Sequence, residues 1–307
     1  MRAKVIILTI IVLGALGALI VLRRNTVRPI PATDGRVAVV ATFYPLAEFA
    51  RQVGGDLVSV INVTPAGVEP HDFEPSPQAI ARISAAHLFI VNGGGIDAWA
   101  SALAPSLQGQ GIRVLTMAPL MGTPLSAAEE DGAFDGHFWL SPVLAARQVE
   151  AIRDALIAED PAHAEAYRAR AGAYISELAA LDRAYTEGLR SCAIRTAVTS
   201  HAAFAYLARE YRFTQLAITG LSPDAEPSAG ALATVAVAAR SRGVRYIFFE
   251  TLVSKRIAET LAREIGARTL VFNPLEGLTG DDIARGASYL SIMRENLVSI
   301  RTALACR

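Results

Sequence analysis

Three of the chain's five histidines stand where a strand or loop hands over to a helix, and an imidazole held at such a junction can ligate a metal or move a proton. His71 lies in "VEPHDFEPSP", where prolines at 70, 75 and 77 restrict the backbone around it. His137 lies in "DGHFWLSP", just ahead of a helix start signalled by Ser141 as N-cap and Pro142 at the first helical position. His201 opens "HAAFAYLA" directly after the strand-like "TAVTS". Three imidazoles suit zinc, and one carboxylate completes a tetrahedron. Two acids at strand ends compete for that fourth place: Glu276 in "LVFNPLEGLT" and Glu250 closing "YIFFE", with Glu276 only slightly ahead on position.

The neighbours of these residues carry bland readings as well. His87 begins a buried strand and His163 sits on a solvated helix face, so both read as structural. Asp72 and Glu74 either accept a ring N–H from a ligating histidine or favour the following helix N-terminus, the helix role being preferred for Glu74. Asp135 reads equally as such an acceptor or as a turn residue. Phe73, Trp139 and Phe204 each adjoin a candidate ligand and would keep water out while serving as ordinary core.

The elements that must position these groups alternate, as in a mostly parallel α/β sheet. Apolar runs at Arg36 to Phe43, Leu57 to Pro65 and His87 to Asn92 predict strands, with helices around Pro45 to Val53 and from Ser76 through Ala85. In the second half, strands are expected at Thr196 to Ser200, Tyr246 to Glu250 and Thr269 to Phe272. Helices are expected at Ala202 to Glu210, Ser228 to Arg240, Ser254 to Ile265 and Asp281 to Ala305. Between the halves, Pro142 to Arg190 is almost all helix formers, interrupted at Asp160-Pro161, so the connection reads as a rigid helix. The expected organisation is an N-terminal segment 1–35, an α/β lobe 36–141, a helical connection 142–190 and a second α/β lobe 191–307.

The chain of 307 residues is 52% apolar with 29 acids and 29 bases, which excludes a disordered chain and offers no electrostatic case for a nucleic-acid partner. Phosphate loops, nucleophile elbows, CxxC pairs and HExxH are absent, and "NGGG" at 92–95 lacks dinucleotide spacing and reads as a turn. Val5 to Leu22 is uncharged between flanking bases and would span about 27 Å as a helix, close to a bilayer core of about 30 Å. It is longer than a signal-peptide core and lacks an A-x-A site, so a retained anchor is preferred to a cleaved signal; no cysteine follows it to carry a lipid. The charges on both flanks leave its orientation open. Outside the cytoplasm, Cys192 and Cys306 would pair naturally; two separate buried thiols are the alternative.

With "HDFEPSP" at His71, "HFWLSP" at His137, "SHAAFAYLA" at Ser200 and "FFETLVSKRIAETLAREIGA" leading to "NPLEGLT", the sequence resembles the zinc and manganese substrate-binding proteins of bacterial ABC transporters from about Ala38 onward. The resemblance implies two α/β lobes joined by one long helix, with a metal held between them and only a small rearrangement on its release. It implies His71, His137, His201 and Glu276 as ligands. Zn2+ is favoured over Mn2+, because manganese members usually carry a carboxylate where His201 stands. The implied protein is a monomeric, non-enzymatic receptor outside the cytoplasmic membrane that delivers its ion to a permease with its ATPase. A zinc hydrolase using Glu276 as general base, a manganese receptor and an adhesin are the rival readings. Two departures stand out: no histidine-rich loop precedes His137, and Gly136 occupies a place where proline is frequent, which is expected to loosen the turn.

Overall fold

The computed structural model describes residues 35–122 and 134–307. The anchor expected at Val5 to Leu22 lies outside the described residues, among which no helix is long and apolar enough to cross a membrane. Two four-stranded sheets are present, and every strand pairing in them is parallel. The first contains β1 (Val37–Ala41), β2 (Val58–Asn62), β3 (Leu88–Val91) and β4 (Arg113–Thr116) in the order β2-β1-β3-β4. The second contains β5 (Thr196–Thr199), β6 (Thr214–Ala217), β7 (Tyr246–Phe249) and β8 (Arg268–Val271) in the equivalent order β6-β5-β7-β8.

The unbroken apolar runs of the central strands follow from burial on both faces. Along β3, Leu88 and Ile90 enter one core cluster while Phe89 and Val91 enter another; β5 and β7 divide in the same way, with Ala197 and Phe248 on one side and Val198 and Ile247 on the other. Helices α1 (Tyr44–Gly54), α2 (Pro77–Ile83) and α3 (Ala98–Gly109) connect the first sheet. Helices α6 (Ala205–Glu210), α7 (Ala229–Ser241) and α8 (Arg256–Ile265) connect the second.

Between the sheets run α4 (Pro142–Glu159) and α5 (Ala164–Gly188), separated by a 3-10 turn at Pro161–His163. Ser141 caps α4 by accepting the Leu144 N–H at 3.3 Å. The 25 residues of α5 give a strut of about 37 Å. Its buried residues, Tyr167, Ala171, Tyr174, Leu178, Leu181 and Tyr185, recur at three- and four-residue steps and form one stripe. That stripe belongs to a core cluster that also takes in Phe43, Phe49 and Trp139 from the first half and Phe204, Phe248, Phe272 and Tyr289 from the second. The Tyr289 ring packs edge-on at 4.9 Å from Phe49, and Arg170 of α5 holds the Gly54 carbonyl at 2.9 Å and pairs with Asp56.

One expectation is corrected. The single helix read from Asp281 to Ala305 is two, α9 (Gly280–Ala284) and α10 (Tyr289–Ala303). Each has its own capping box, Thr279 with Asp282 and Ser288 with Ser291, and Gly286 turns the chain between them with φ +67°. Strands β4 and β6 and helix α3 were not apparent in the sequence pattern. Cys192 and Cys306 form a disulfide across 114 residues, tying the end of α10 to the segment before β5. The Arg307 N–H on the Ser191 carbonyl and the Ile194 N–H on the Leu304 carbonyl continue that seam.

Candidate metal centre

All the strands of both sheets deliver their carboxyl ends to the cleft between the lobes, which is where open α/β sheets place ligands. His71 comes from the loop after β2, His137 from the segment after β4, His201 from the turn after β5 and Glu276 from the loop after β8. The structure brings these four together, one potential ligand atom from each lying within 4.8 Å of the others. Glu276 Oε1 is 3.1 Å from His201 Nε2, 3.2 Å from His137 Nε2 and 3.4 Å from His71 Nε2. The Nε2 atoms of His71 and His201 are each 3.3 Å from that of His137.

Two of the histidines are oriented from behind. Asp135 Oδ1 accepts from His137 Nδ1 at 2.8 Å and from its backbone N–H at 2.9 Å. Glu250 accepts from His201 Nδ1 at 2.7 and 2.8 Å and from its backbone N–H at 3.1 Å. A carboxylate only accepts, so in both rings Nδ1 carries a proton, and the Nε2 that faces the cluster is the atom whose deprotonation offers a lone pair to a metal. Glu250, the rival for fourth place, therefore stands behind His201 and not among the four. Among the described residues His71 has no carboxylate on Nδ1, and it is the most exposed of the set, its side chain 8% accessible against 1% or less for the others.

Electrostatics follow from this packing. Burial pulls the His137 imidazolium down, but hydrogen bonds with Asp135 and Glu276 outweigh it and leave the group above its ordinary value. Burial acts the same way on His201, where the charges of Glu250 and Glu276 prevail and hold it well above. Burial pushes Glu276 up, yet His201 and the hydrogen bonds with the histidines bring it well below the usual carboxylate range. Glu69, which sequence reasoning missed, is pushed up to about 9 by burial and by the nearby charge of Glu276. Only its place two residues before His71 could have drawn attention to it.

The remaining neighbours divide. Trp139 is fully buried with its ring 5.1 Å from that of His137, and Phe204 stacks on Phe272 at 3.9 Å. Phe73 packs instead against Trp99 in the separate cluster on the far face of the first sheet. Asp72 meets Asp224 of the second lobe, and that hydrogen bond, with burial, pushes Asp224 up to about 6. Glu74 is exposed two residues before the Ser76 N-cap of α2. His87 accepts the Ala38 N–H at 2.9 Å on Nδ1, and His163 pairs with Asp160 at 2.7 Å on a solvated turn.

The "NGGG" turn proves structural: Asp97 accepts the Asn92 and Gly93 N–H groups at 2.7 and 2.8 Å, and the Asn92 amide donates to the Gly136 carbonyl at 3.0 Å. Gly136 does not loosen its turn. A Cβ there would lie 2.6 Å from the Gly94 carbonyl oxygen and 2.8 Å from Ile96, so glycine permits the close approach that seats His137. A cleft of about 340 Å³ lined by His71, Ile96, Phe134, His137 and Ser222 leads from the cluster towards solvent.

A family model described as zinc-uptake complex component A, periplasmic, matches residues 39–303. The chain is 41% identical over 279 residues to the zinc-binding lipoprotein AdcA of Streptococcus pneumoniae, covering 87% of this chain and 56% of that protein. It thus spans about half the length of that relative. Against the high-affinity zinc uptake system protein ZnuA of Bacillus subtilis, identity is 38% over 281 residues, with 88% of each chain covered. Among solved structures, the Zn(II)-bound ZnuA-like domain of Streptococcus pneumoniae AdcA superposes with a TM-score of 0.77 at 41% identity, covering 88% of this chain and 99% of that one. The laminin-binding adhesin of Streptococcus agalactiae gives 0.79 at 33% identity, covering 87% and 99%.

Proposed function

This chain belongs to the family of periplasmic components of zinc-uptake complexes, and we propose that it captures Zn2+ outside the cytoplasmic membrane and delivers it to a permease driven by a cytoplasmic ATPase. The observation that carries this reading is the convergence of three imidazole Nε2 atoms on Glu276 Oε1, with the Nδ1 protons of His137 and His201 committed to carboxylates behind them. Acceptors packed together in a buried place repel one another unless a cation lies among them.

His71, His137, His201 and Glu276 are the ligands in this proposal. Three nitrogens and one oxygen suit tetrahedral zinc, whereas calcium, magnesium and manganese favour more oxygen. With Zn2+ the ligand set carries a net charge of about +1. Copper binds such nitrogens at least as tightly, so discrimination against it rests on geometry and availability. His71, the most exposed ligand, is the first group an ion entering the cleft meets. The lobes, 36–141 and 191–307, are held by the connection 142–190 with α5 as its strut. The disulfide suits an oxidising compartment, and Val5 to Leu22 serves as the membrane tether.

The hydrolase reading requires an open position for water on the metal. In our reading Glu276, which contacts all three histidines, takes the fourth position, and this supports a receptor over a hydrolase. Metal analysis and zinc titration of the purified protein beside Glu276→Gln test the proposal. We expect one tightly bound zinc per chain, weaker binding in the variant, and no hydrolysis of ester or peptide substrates by either. Absence of zinc binding, or preferential retention of manganese, would overturn it.

A further inference from the structure

The loop that carries Glu276 is shaped by residues far from it in sequence. Leu275, immediately before the ligand, is fully buried and adopts φ +59°, a left-handed conformation that a branched aliphatic residue enters only when its surroundings enforce it. The enforcing contacts can be traced. Asn296 of α10, 2% exposed, accepts the Asn273 N–H at 2.8 Å and donates its amide to the Asn273 carbonyl at 2.7 Å. The Asn273 side chain in turn accepts the Leu275 N–H at 2.8 Å. From the other lobe, the Trp139 indole N–H donates to the Pro274 carbonyl at 2.8 Å. Trp139 itself is held by the Tyr289 hydroxyl, which donates to its carbonyl at 2.6 Å. Four backbone groups ahead of Glu276 are thus fixed by buried side chains.

The result is a carboxylate that presents one oxygen to the cluster. Glu276 Oε1 faces all three Nε2 atoms, while Oε2 is buried with no hydrogen-bond partner among the described residues. We propose that Asn296 and Trp139 are positioning residues that set the metal selectivity of the site by keeping Glu276 a one-oxygen ligand. The inference rests on the zinc-receptor reading above. A glutamate on a slack loop can turn both oxygens to the ion and admit a fifth ligand, which favours larger, oxygen-preferring ions such as Mn2+ over tetrahedral Zn2+. On this loop the backbone that carries Glu276 is held by the Asn296 and Trp139 contacts in the place from which one oxygen meets the three Nε2 atoms.

The test compares the full chain with Asn296→Ala, Trp139→Phe and Glu276→Gln for Zn2+ and Mn2+ affinity, and records the visible spectrum of each Co2+-loaded protein. Trp139→Phe keeps an aromatic ring against Phe43 and His137 while removing the indole donor, so it carries the test if Asn296→Ala fails to fold. We expect both positioning variants to lower the zinc-to-manganese affinity ratio at least tenfold, with the intense bands of tetrahedral Co2+ weakening towards those of a five- or six-coordinate ion. Equal loss of both metals, or unchanged selectivity with an unchanged Co2+ spectrum, would overturn the proposal. The controls separate two failures. If the unaltered chain does not bind zinc, or Glu276→Gln binds like it, the underlying reading falls; if these behave as expected and the positioning variants do not, only the present inference falls.

Discussion

Replacing Glu250 with glutamine isolates the contribution of a group that stands behind His201 and outside the four-residue cluster. Its carboxylate receives the His201 Nδ1 proton at 2.7 and 2.8 Å and the backbone N–H at 3.1 Å, with the pair almost wholly removed from solvent. Glutamine keeps the shape but offers one neutral acceptor and adds a donor that faces a donor. The His201 ring then loses both its fixed tautomer and the negative charge that makes Nε2 a better ligand. Losses of this kind typically weaken metal binding about 10- to 100-fold, or about 1.4–2.7 kcal/mol. Burial leaves little water to compensate, which places the expectation towards the upper end. Competition against a chromophoric zinc chelator reads the affinity, and thermal melts of the metal-free protein check that the fold survives. Affinity within about threefold of the parent would refute the argument that the carboxylate tunes the ligand, given that 10-fold is the lower bound of the expected loss. A loss greater than that of Glu276→Gln would assign Glu250 as the fourth ligand and return Glu276 to a supporting place.

Other outcomes follow from the same geometry. His71→Ala should abolish tight zinc binding yet change the stability of the metal-free protein by less than about 1 kcal/mol, because His71 is the most exposed of the four and its removal leaves the buried Glu276 still paired with His137 and His201. His201→Ala should cost the metal-free fold about 3–5 kcal/mol in denaturant titrations, since it strands the buried charge of Glu250. Zinc affinity should decline with falling pH from a point above 6.5, the ordinary imidazole value, because protons compete for His137 and His201 at raised values. In the metal-free protein the sign reverses: the raised imidazoles stabilise the fold fully below their unfolded value, and that stability is lost as pH rises through their folded ones. Melting curves of the two forms against pH should therefore diverge as pH increases. Cys192→Ser with Cys306→Ser should lower stability by about 2–5 kcal/mol and leave zinc affinity unchanged, the disulfide lying at the α10 end of the second lobe.

The candidate ligands were legible because metal chemistry narrows the residue types and because proline, serine and strand-end signals flank them. The central strands were legible because burial on both faces writes continuous apolar runs. Strands β4 and β6 are short edge strands, exposed at the first position and half-buried after it, and so lack the buried run of a central strand; β8 is an equally exposed edge that shows only through its apolar run at 270–272. The break between α9 and α10 was written in Thr279, Gly286 and Ser288, but the helix formers on either side outweighed those signals. The contest between Glu250 and Glu276 was not decidable from position, since both follow strands in the same sheet. What separates them in the structure is where their carboxylates lie, Glu276 among the Nε2 atoms and Glu250 on His201 Nδ1. Glu69 was invisible because the charges that act on it, Glu276 and His201, come from the distant second half of the chain.

The shared core beneath the cleft bears on how the molecule comes to exist. The first lobe is complete in sequence long before α10 is made, yet its Phe49 packs on Tyr289 and its Trp139 carbonyl is satisfied by the same tyrosine. In α5, Tyr185 likewise donates to the Met293 carbonyl at 2.7 Å. An emerging first lobe is therefore covered only in part by α4 and α5, and contacts spanning more than 200 residues must form before it is sealed. Such contacts are entropically slow to close. Until α10 docks, the part left uncovered stays open, the condition in which partly folded chains are prone to aggregate.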